Sequence, residues 1–402
     1  MAQLGLRRWA PALAATLLFA LPACSDDDTP SGPGPVTGTG TGTATNTGTT
    51  TATGAGGGGG AGGATGGSGT GGGVVDPPCQ APAQAATEVY PAGSFLQLRH
   101  LAGVGSRWLA AGDIGYVRFD ADGTNADATP TVLGSFTHAV ASEAGSLAGV
   151  AAGQNNWVGY QRQNATGPET GPRTLANDTP LGVTVAPVGT GSLVVWGWNG
   201  LLQGRVVDAS GIAGSEFDVA PGAFSNVLFL RSAARGNVAG VAWYGAPPNS
   251  PYRSSFVAVD DSGPTGSVVT IWETPATHEL HQIAATDDGF VVLVTGEAPE
   301  RRPRLIELDA SGNPVGTPTL LDGATRGHSL ASQGSSFAVV AVHQTGEPQI
   351  RTFDLDLQPL TNWTCLAAAH NAAVPAAVAP DGSGYAVIFE TDAGATMLSR
   401  LP

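Results

Sequence analysis

Short runs of consecutive apolar residues recur along the chain from residue 79 onward. They begin at Trp108, Leu147, Leu193, Val238, Phe290, Phe337 and Tyr385. Each run is four or five residues long and is bounded by Gly, Ser, Asp or Asn, so it predicts a buried β-strand rather than a helix. Successive runs begin 39, 46, 45, 52, 47 and 48 residues apart. The chain is therefore predicted to repeat one strand-rich unit seven times.

A second motif, Asp or Asn followed three residues later by Gly, comes after most of these runs. It begins at Asp120, Asn164, Asp208, Asp260 and Asp309. An Asp or Asn that opens a turn bonds the backbone two residues on, and Gly supplies the positive φ of a tight hairpin. The sixth unit keeps Asp354 but lacks the glycine. Each unit thus predicts a small Ala-rich strand, a buried strand, an alternating strand and, after the turn, a fourth strand.

Four antiparallel strands in a repeat of about 46 residues are typical of a β-propeller blade. Residues 79–402 accommodate seven such units, the last of which has only three strands. The resemblance to propellers implies that the strand-like segment 86–90 completes the seventh sheet and removes its free edge. We therefore expect an all-β propeller of seven four-stranded blades. A pair of β-sandwiches or an irregular β-solenoid is the alternative.

The N-terminus has the pattern of an export signal. Two arginines precede an apolar stretch at residues 9–20, which is too short for a permanent membrane span, and Leu-Pro-Ala-Cys ends at Cys24. This pattern resembles a bacterial lipobox, which implies a signal peptide at 1–23 and a diacylglycerol on the Cys24 thiol. The resemblance also implies that Ser25 is compatible with sorting to the outer membrane. The alternative is an ordinary secreted protein that is cut near Ala23.

The segment that follows the signal has almost nothing to bury. Residues 24–78 contain 20 Gly, no aromatic residue and no Arg. Such a segment cannot offset its conformational entropy, so we expect a disordered tether between the lipidated cysteine and the folded part. The lipid anchor makes the membrane the first expected partner. The expected location is the extracytoplasmic side of the cell envelope.

Charge excludes several functions. The formal net charge is −15, and the count of 17 basic residues consists of Arg alone. The absence of Lys from the sequence excludes Schiff-base chemistry and a P-loop lysine. The acidic balance argues against nucleic acid as a partner, because nucleic-acid binding needs clustered positive charge.

Two cysteines remain after the lipidated one. Cys79 lies just before the proposed closing strand, and Cys365 lies in the predicted fourth strand of the sixth unit. Export implies an oxidising compartment, so a Cys79–Cys365 disulfide is expected. The alternative is a pair of free buried thiols.

Histidines recur at one phase of the repeat. His138, His281 and His328 fall nine residues before the apolar run of their unit, and His100 falls eight before. In a propeller this position is the start of the innermost strand, near one mouth of the central channel. Four imidazoles there could hold a transition metal, the one cofactor that the sequence suggests. The alternative is a repeated structural histidine that bonds its blade to the next, because metal–nitrogen bonds of about 2.0–2.1 Å demand close convergence.

Two other residue groups have both a functional and a structural interpretation. Asp120, Asp122 and Asp127 could form a calcium loop, but the other units carry the same turn without the extra carboxylates, which favours a turn. The tryptophans could form a sugar-stacking surface or fill the space between blades, which is the commoner role of such aromatics. These tryptophans are Trp196, Trp198, Trp243 and Trp272.

The sequence leaves two classes of function open. The first is a lipid-anchored propeller that binds a protein or glycan without catalysis; the tether, the regular repeat and the lack of a Gly-x-Ser-x-Gly elbow or His-Glu-x-x-His motif favour it. The second is an extracytoplasmic metal-dependent hydrolase or lyase with its site at the histidine rim. Fold alone does not choose between these classes.

Overall fold

A computed structural model describes residues 79–401 except for twelve short segments. These are 82–84, 95, 134–136, 144–146, 155, 221–225, 247–250, 274–278, 297–301, 344–345, 367–375 and 383, and the side chains of residues 137, 138 and 226 are also excluded. The predicted signal peptide (1–23), lipidated Cys24 and tether (24–78) lie outside the described residues. Within the described part, no helix is long and apolar enough to cross a bilayer.

The described residues form strands joined by turns and loops, with no helix among them. In chain order the strands are β1 (Thr87–Tyr90), β2 (Leu98–Val104), β3 (Arg107–Gly112), β4 (Tyr116–Asp120), β5 (Thr137–Glu143), β6 (Leu147–Gln154), β7 (Trp157–Asn164), β8 (Gly167–Pro168), β9 (Arg173–Ala176), β10 (Gly182–Val188), β11 (Gly191–Trp198), β12 (Leu201–Val207), β13 (Phe217–Ala220), β14 (Asn226–Arg235), β15 (Val238–Ala246), β16 (Arg253–Asp260), β17 (Gly263–Pro264), β18 (Val269–Glu273), β19 (Glu279–Ala285), β20 (Gly289–Thr295), β21 (Pro303–Asp309), β22 (Pro314–Leu320), β23 (Arg326–Gln333), β24 (Ser336–Val342), β25 (Pro348–Asp354), β26 (Thr364–Cys365), β27 (Ala377–Asp381), β28 (Gly384–Glu390) and β29 (Thr396–Leu401).

These strands form seven antiparallel sheets, and each sheet is one blade of a propeller. Blades 1 to 6 are β2–β4, β5–β9, β10–β13, β14–β18, β19–β22 and β23–β26, and blade 7 contains β27–β29 with β1. The first strands of neighbouring blades contact one another around a complete circle, from β2 through β27 and back to β2. The seven-bladed all-β propeller is confirmed.

The ring closes as predicted. Strand β1 pairs antiparallel with β29, with Thr87 opposite Leu398 and Tyr90 opposite Thr396, so the start of the domain supplies the outer strand of the last blade. Blade 1 departs from the four-strand pattern, because its outer strand is reduced to a bridge between Tyr116 and Thr131.

A disulfide joins Cys79 to Cys365 across 286 residues, with Cα atoms 5.1 Å apart. Gln80 flanks the bond: its N–H donates to the carbonyl of Trp363 at 2.8 Å, and its carbonyl accepts from the Cys365 N–H at 2.7 Å. The predicted disulfide is confirmed, and it attaches the beginning of the domain to blade 6.

The hydrophobic core lies between the blades rather than in one centre. Seven clusters of buried apolar residues occupy the seven interfaces between neighbouring blades. The second strand of each blade contributes to the interfaces on both of its sides, which is why β20 is buried along its whole length. Continuous apolar runs are expected for strands that are covered on both faces.

The predicted turns form, with two local departures. The carboxylates of Asp208 and Asp309 accept hydrogen bonds from the backbone two residues on, each at 2.8 Å. In the first unit this role belongs to Asp122, which accepts from the Thr124 N–H at 2.9 Å. In the sixth unit Leu357 occupies the glycine position with φ of 59°, and its side chain is buried in the interface between blades 5 and 6.

Candidate functional site

The propeller has two distinct ends. The first strands of the blades run in one direction around the ring, so their first residues surround one mouth of the channel. We call this end the strand-start face; it includes the loops between blades and the turns between second and third strands. The opposite face carries the turns between first and second and between third and fourth strands.

The central channel is lined by the first strands of all seven blades. A cavity of about 230 Å³ touches the first strand of every blade. Its lining combines small residues, several of them Ser or Thr, with the larger Arg99, His100 and Gln282. A second cavity of about 540 Å³ lies at the opposite face among the hairpin turns of blades 4, 5 and 6.

The phase-related histidines lie on the first strands of their blades, as the repeat predicted. His100 is on β2, His281 on β19 and His328 on β23; His138 is on β5, but its side chain lies outside the described residues. Burial, with the nearby Arg231 and Arg99 charges, lowers the pKa of His100 to about 3. Burial also lowers the pKa of His281 well below its usual value, helped by His328 and Arg326. Both imidazoles are therefore neutral at pH 7.

His281 takes part in a contact between blades. Its Nε2 hydrogen-bonds with Thr295 Oγ1 at 2.7 Å, and the same hydroxyl accepts from the Gly327 N–H of blade 6 at 3.2 Å. This arrangement supports the structural interpretation of His281. Among the described side chains, no three His, Cys, Asp or Glu residues come together as a metal site. The four-histidine set stays a prediction, because it includes His138.

Two of the arginines at the strand-start face are paired with carboxylates. Arg99 donates to Asp113 through Nε at 3.1 Å and Nη2 at 2.8 Å. Arg326 donates to Glu279 through Nε at 3.2 Å and has its Nη2 3.1 Å from the same oxygen. These pairs are not evident in the sequence, since each joins residues that become neighbours only in the folded ring or across a turn.

Arg231 is held in a different way. Its Nε donates to the carbonyl of His281 at 2.7 Å and its Nη1 to the carbonyl of Leu230 at 2.9 Å. Burial and the neighbouring Arg99 charge lower the pKa of Arg231 to about 10, with a small opposing effect of Asp113. Arg99 belongs to blade 1 and Arg231 to blade 4, on opposite sides of the channel. The hydrogen bond to His281 joins the first strand of blade 4 to the first strand of blade 5.

Exposed apolar side chains concentrate on the same face. Of the eight large apolar residues exposed in the described part, five lie there, and we call these five the apolar rim. The apolar rim consists of Ile114, Val132, Leu181, Leu228 and Phe229. The remaining three, Ile212, Val315 and Leu360, lie in or beside turns between third and fourth strands, at the opposite face.

A bulge in β14 creates the centre of this arrangement. The pairing of β14 with β15 shifts between Leu228 and Arg231, and Phe229 has a left-handed φ of 50° while 36% of its surface is exposed. Its ring packs 6.1 Å from that of Tyr244, which stacks on Tyr252 at 5.1 Å. An exposed aromatic residue in a strained conformation is more typical of a functional site than of a packing position.

In the described part, two carboxylates of the calcium interpretation have protein partners, and two of the four tryptophans are fully buried while Trp198 and Trp272 are partly buried. Asp127 binds Arg118, whose Nε lies 3.0 Å away, and Asp120 binds Arg107 at 2.9 Å, so both carboxylates have protein partners. Trp196 and Trp243 are fully buried in interfaces between blades. The Trp196 Nε1–H donates to Asp178 at 2.9 Å. The prediction that tryptophans fill the space between blades is confirmed for these two.

No family model and no curated protein sequence matches the chain. Solved structures do resemble it in fold. A chain from a crystal structure of the mitotic checkpoint complex has 15% identity and a TM-score of 0.52, covering 82% of this chain and 97% of that one. Virginiamycin B lyase from Staphylococcus aureus has 12% identity and a TM-score of 0.52, covering 79% and 99%. At such identities the similarity establishes the propeller fold alone.

Proposed function

We propose that this chain is a lipid-anchored envelope protein whose propeller binds another protein at the strand-start face, without catalysis. The observation that carries the proposal is the apolar rim, since five of the eight exposed large apolar side chains in the described part lie on the strand-start face, in blades 1, 3 and 4. Apolar patches on a soluble surface that are rimmed by polar groups mark interaction sites. The anchor part of the proposal rests on the lipobox resemblance at Cys24 and on the tether.

Binding is favoured over catalysis by the way polar groups at this face are used. Arg99 is paired with Asp113, and Arg326 is paired with Glu279. His281 is engaged with Thr295. A hydrolytic site needs a nucleophile or metal beside a base that is free to move a proton. Groups with fixed structural partners are poorly suited to that task.

A protein ligand is favoured over a glycan by the type of side chain exposed. Four of the five members of the apolar rim are aliphatic, and aliphatic groups pack against apolar protein side chains. Sugar binding typically uses exposed aromatic faces, whereas Trp196 and Trp243 are fully buried and Trp198 and Trp272 are partly buried against interfaces between blades. Phe229 is the single aromatic member of the rim.

Two matched variants of the full chain test the proposal. The rim variant carries Leu181→Ser, Leu228→Ser and Phe229→Ser. The control carries Ile212→Ser, Val315→Ser and Leu360→Ser, at the opposite face. The wild type and each variant are expressed in cells of the organism that makes this protein and are crosslinked before lysis. The chain is then purified, and the proteins that co-purify with it are quantified by mass spectrometry.

We expect one defined protein to be recovered with the wild type and the control, and at least tenfold less of it with the rim variant. Equal recovery with both variants would place the binding surface elsewhere. If the purified wild-type chain binds a glycan on an array and the rim variant does not, the ligand is a glycan rather than a protein.

The lipid anchor has its own test. Cells that express the wild type or Cys24→Ser are labelled with radioactive palmitate, and the immunoprecipitated chain is counted. We expect label in the wild type and background in the variant, because the thioether forms on the Cys24 sulfur. Equal labelling of the two chains would contradict lipidation at Cys24.

A further inference from the structure

The start of the propeller domain is attached to the ring at two separate places. The first is blade 6, where Cys79 forms the disulfide with Cys365. Gln80 adds a parallel bridge to Thr364 in the same blade. The second is blade 7, where β1 pairs with β29. Because β1 begins eight positions after Cys79, a pull on the chain before residue 79 reaches blade 6 before it reaches blade 7.

The attachment at blade 6 is held by buried side chains on both sides of the disulfide. Trp363 is buried in the interface between blades 5 and 6, and its Nε1–H donates to the carbonyl of Asp322 at 2.7 Å. Leu366 is buried in the interface between blades 6 and 7, and its N–H donates to the carbonyl of Pro348 at 2.8 Å. An outward movement of Cys365 therefore requires that a large apolar side chain leave a packed interface, which the hydrophobic effect opposes.

The attachment at blade 7 is weaker. Strand β1 has four residues, of which Thr87 and Glu88 are exposed, and its register with β29 shifts between Glu88 and Tyr90. Tyr90, at the far end of the strand, is buried in the interface between blades 7 and 1, and its hydroxyl donates to the carbonyl of Asp127. A pull that arrives at Thr87 loads the ladder bond nearest that end first, so the strand would separate one bond at a time.

We infer that residues 79–81 and the Cys79–Cys365 disulfide form a clasp that carries tension from the tether into blade 6 and keeps β1 unloaded. The inference rests on the lipid anchor and the protein ligand of the proposed function. A chain that is joined to the membrane at one end and to a second protein at its strand-start face is pulled whenever the two move apart. While the disulfide holds, the chain between Cys79 and Thr87 bears no part of that pull, and the strand that closes the ring is protected.

Optical tweezers on single molecules test the clasp. Every protein is the full mature chain with Cys24→Ser, so that no lipid is attached. One DNA handle is joined to the N-terminus, and the other is joined to an azide-bearing amino acid at position 181, on the strand-start face of blade 3. The rate and the length of the first unfolding step at constant force are recorded for the oxidised chain and for a cysteine-free variant, which also carries Cys79→Ser and Cys365→Ser.

In the oxidised chain we expect no step that corresponds to the loss of β1 before the blades themselves unfold. In the cysteine-free variant, an early step should release residues 79–90, whose extended length is about 40 Å. Dithiothreitol added to the oxidised chain during the measurement should produce the same early step. The result therefore does not depend on whether the variant folds as well as the wild type.

The substitution Tyr90→Phe distinguishes a clasp from a general stabilising effect. It removes the hydrogen bond to Asp127 and leaves the disulfide intact. In the cysteine-free variant, loss of one hydrogen bond should make the early step about fivefold faster. In the oxidised chain the rate of the first step should change less than twofold, because β1 is not loaded. Tyr385→Phe is the matched control, since the Tyr385 hydroxyl bonds Ser336 at 3.1 Å between blades 7 and 6, and it should leave the early step unchanged.

Three results would overturn the inference: an early step in the oxidised chain, no early step in the cysteine-free variant, or an equal effect of Tyr90→Phe in both. The outcome is separable from that of the proposed function, because the two handles replace the membrane and the ligand. Palmitate labelling at Cys24 together with an early step in the oxidised chain would retain the anchor and reject the clasp. Loss of the labelling together with the expected steps would reject the anchor and retain the clasp.

Discussion

The ion pair between Glu143 and Arg162 tests how neighbouring blades are held together. Both side chains are nearly inaccessible, 3% and 2% exposed, and Arg162 Nε donates to Glu143 Oε2 at 2.7 Å. The other carboxylate oxygen accepts from the hydroxyls of Tyr160 and Ser192. The remaining guanidinium nitrogens donate to the carbonyls of residues 208–209 in the blade 3 turn. One charge pair of blade 2 is thus bound to blade 3 from both of its ends.

Removal of one partner leaves a buried charge uncompensated, which costs about 3–5 kcal/mol. We expect Arg162→Met to lower the free energy of unfolding by that amount. The loss in Glu143→Gln should be smaller, because Glu169 Oε2 still lies 3.9 Å from Arg162 Nε. The structure leaves little room for relaxation, because a Cβ on the neighbouring Gly149 would already lie 2.6 Å from a Glu143 oxygen. In the double variant no isolated charge remains. Its loss should be smaller than the sum of the single losses by about 2 kcal/mol or more.

Urea unfolding followed by tryptophan fluorescence measures these differences, in low salt and in 0.5 M NaCl. The matched control is the pair Arg205–Glu216, which has the same residue types in blade 3 at 3.2 Å but is 28% and 32% exposed. Exposed pairs contribute up to about 1 kcal/mol and are screened by salt, so Arg205→Met should have a small effect. A loss for Arg162→Met no larger than that for Arg205→Met would refute the reasoning, as would strict additivity in the double variant.

Three further predictions concern stability. Replacing Cys79 and Cys365 by Ser should lower the free energy of unfolding by about 5 kcal/mol, because the disulfide restricts a 286-residue loop in the unfolded chain; equal urea midpoints for the two proteins would contradict the loop-entropy account. The pKa of His100 is about 3 in the folded chain and ordinarily 6.5, so the unfolded state binds more protons between these values and stability should fall as pH decreases from about 6.5 toward 3. His100→Gln should flatten this slope, and an unchanged slope in urea unfolding across that range would exclude His100 as its source. Leu357→Gly should relieve about 1–2 kcal/mol of backbone strain but lose more in burial, for a net destabilisation of about 1–3 kcal/mol by urea unfolding; a more stable variant would show that strain dominates.

The sequence by itself determined the features that depend on neighbouring residues. Apolar runs bounded by turn residues gave the buried strands, and Asp with a following Gly gave the hairpins, because backbone preference and turn chemistry act within a few residues. The repeat length then determined the blade number. The spare segment that became β1 and the Cys79–Cys365 pair followed from the need to close a ring. Leu357 shows the limit of such rules, since burial between blades holds it in a conformation that favours glycine.

Only the tertiary structure decided the candidate site. The apolar rim brings together residues from blades 1, 3 and 4, some of which are more than 100 positions apart in the chain. The β14 bulge and the hydrogen bond from Arg231 to the His281 carbonyl also depend on the folded ring. The histidine phase was visible in the sequence, but the contact between His281 and Thr295 was not, because it depends on how one blade packs on the next. A repeat places equivalent residues at one end of the ring. Their distances and charges depend on ring closure and on local register shifts, which no short stretch of sequence encodes.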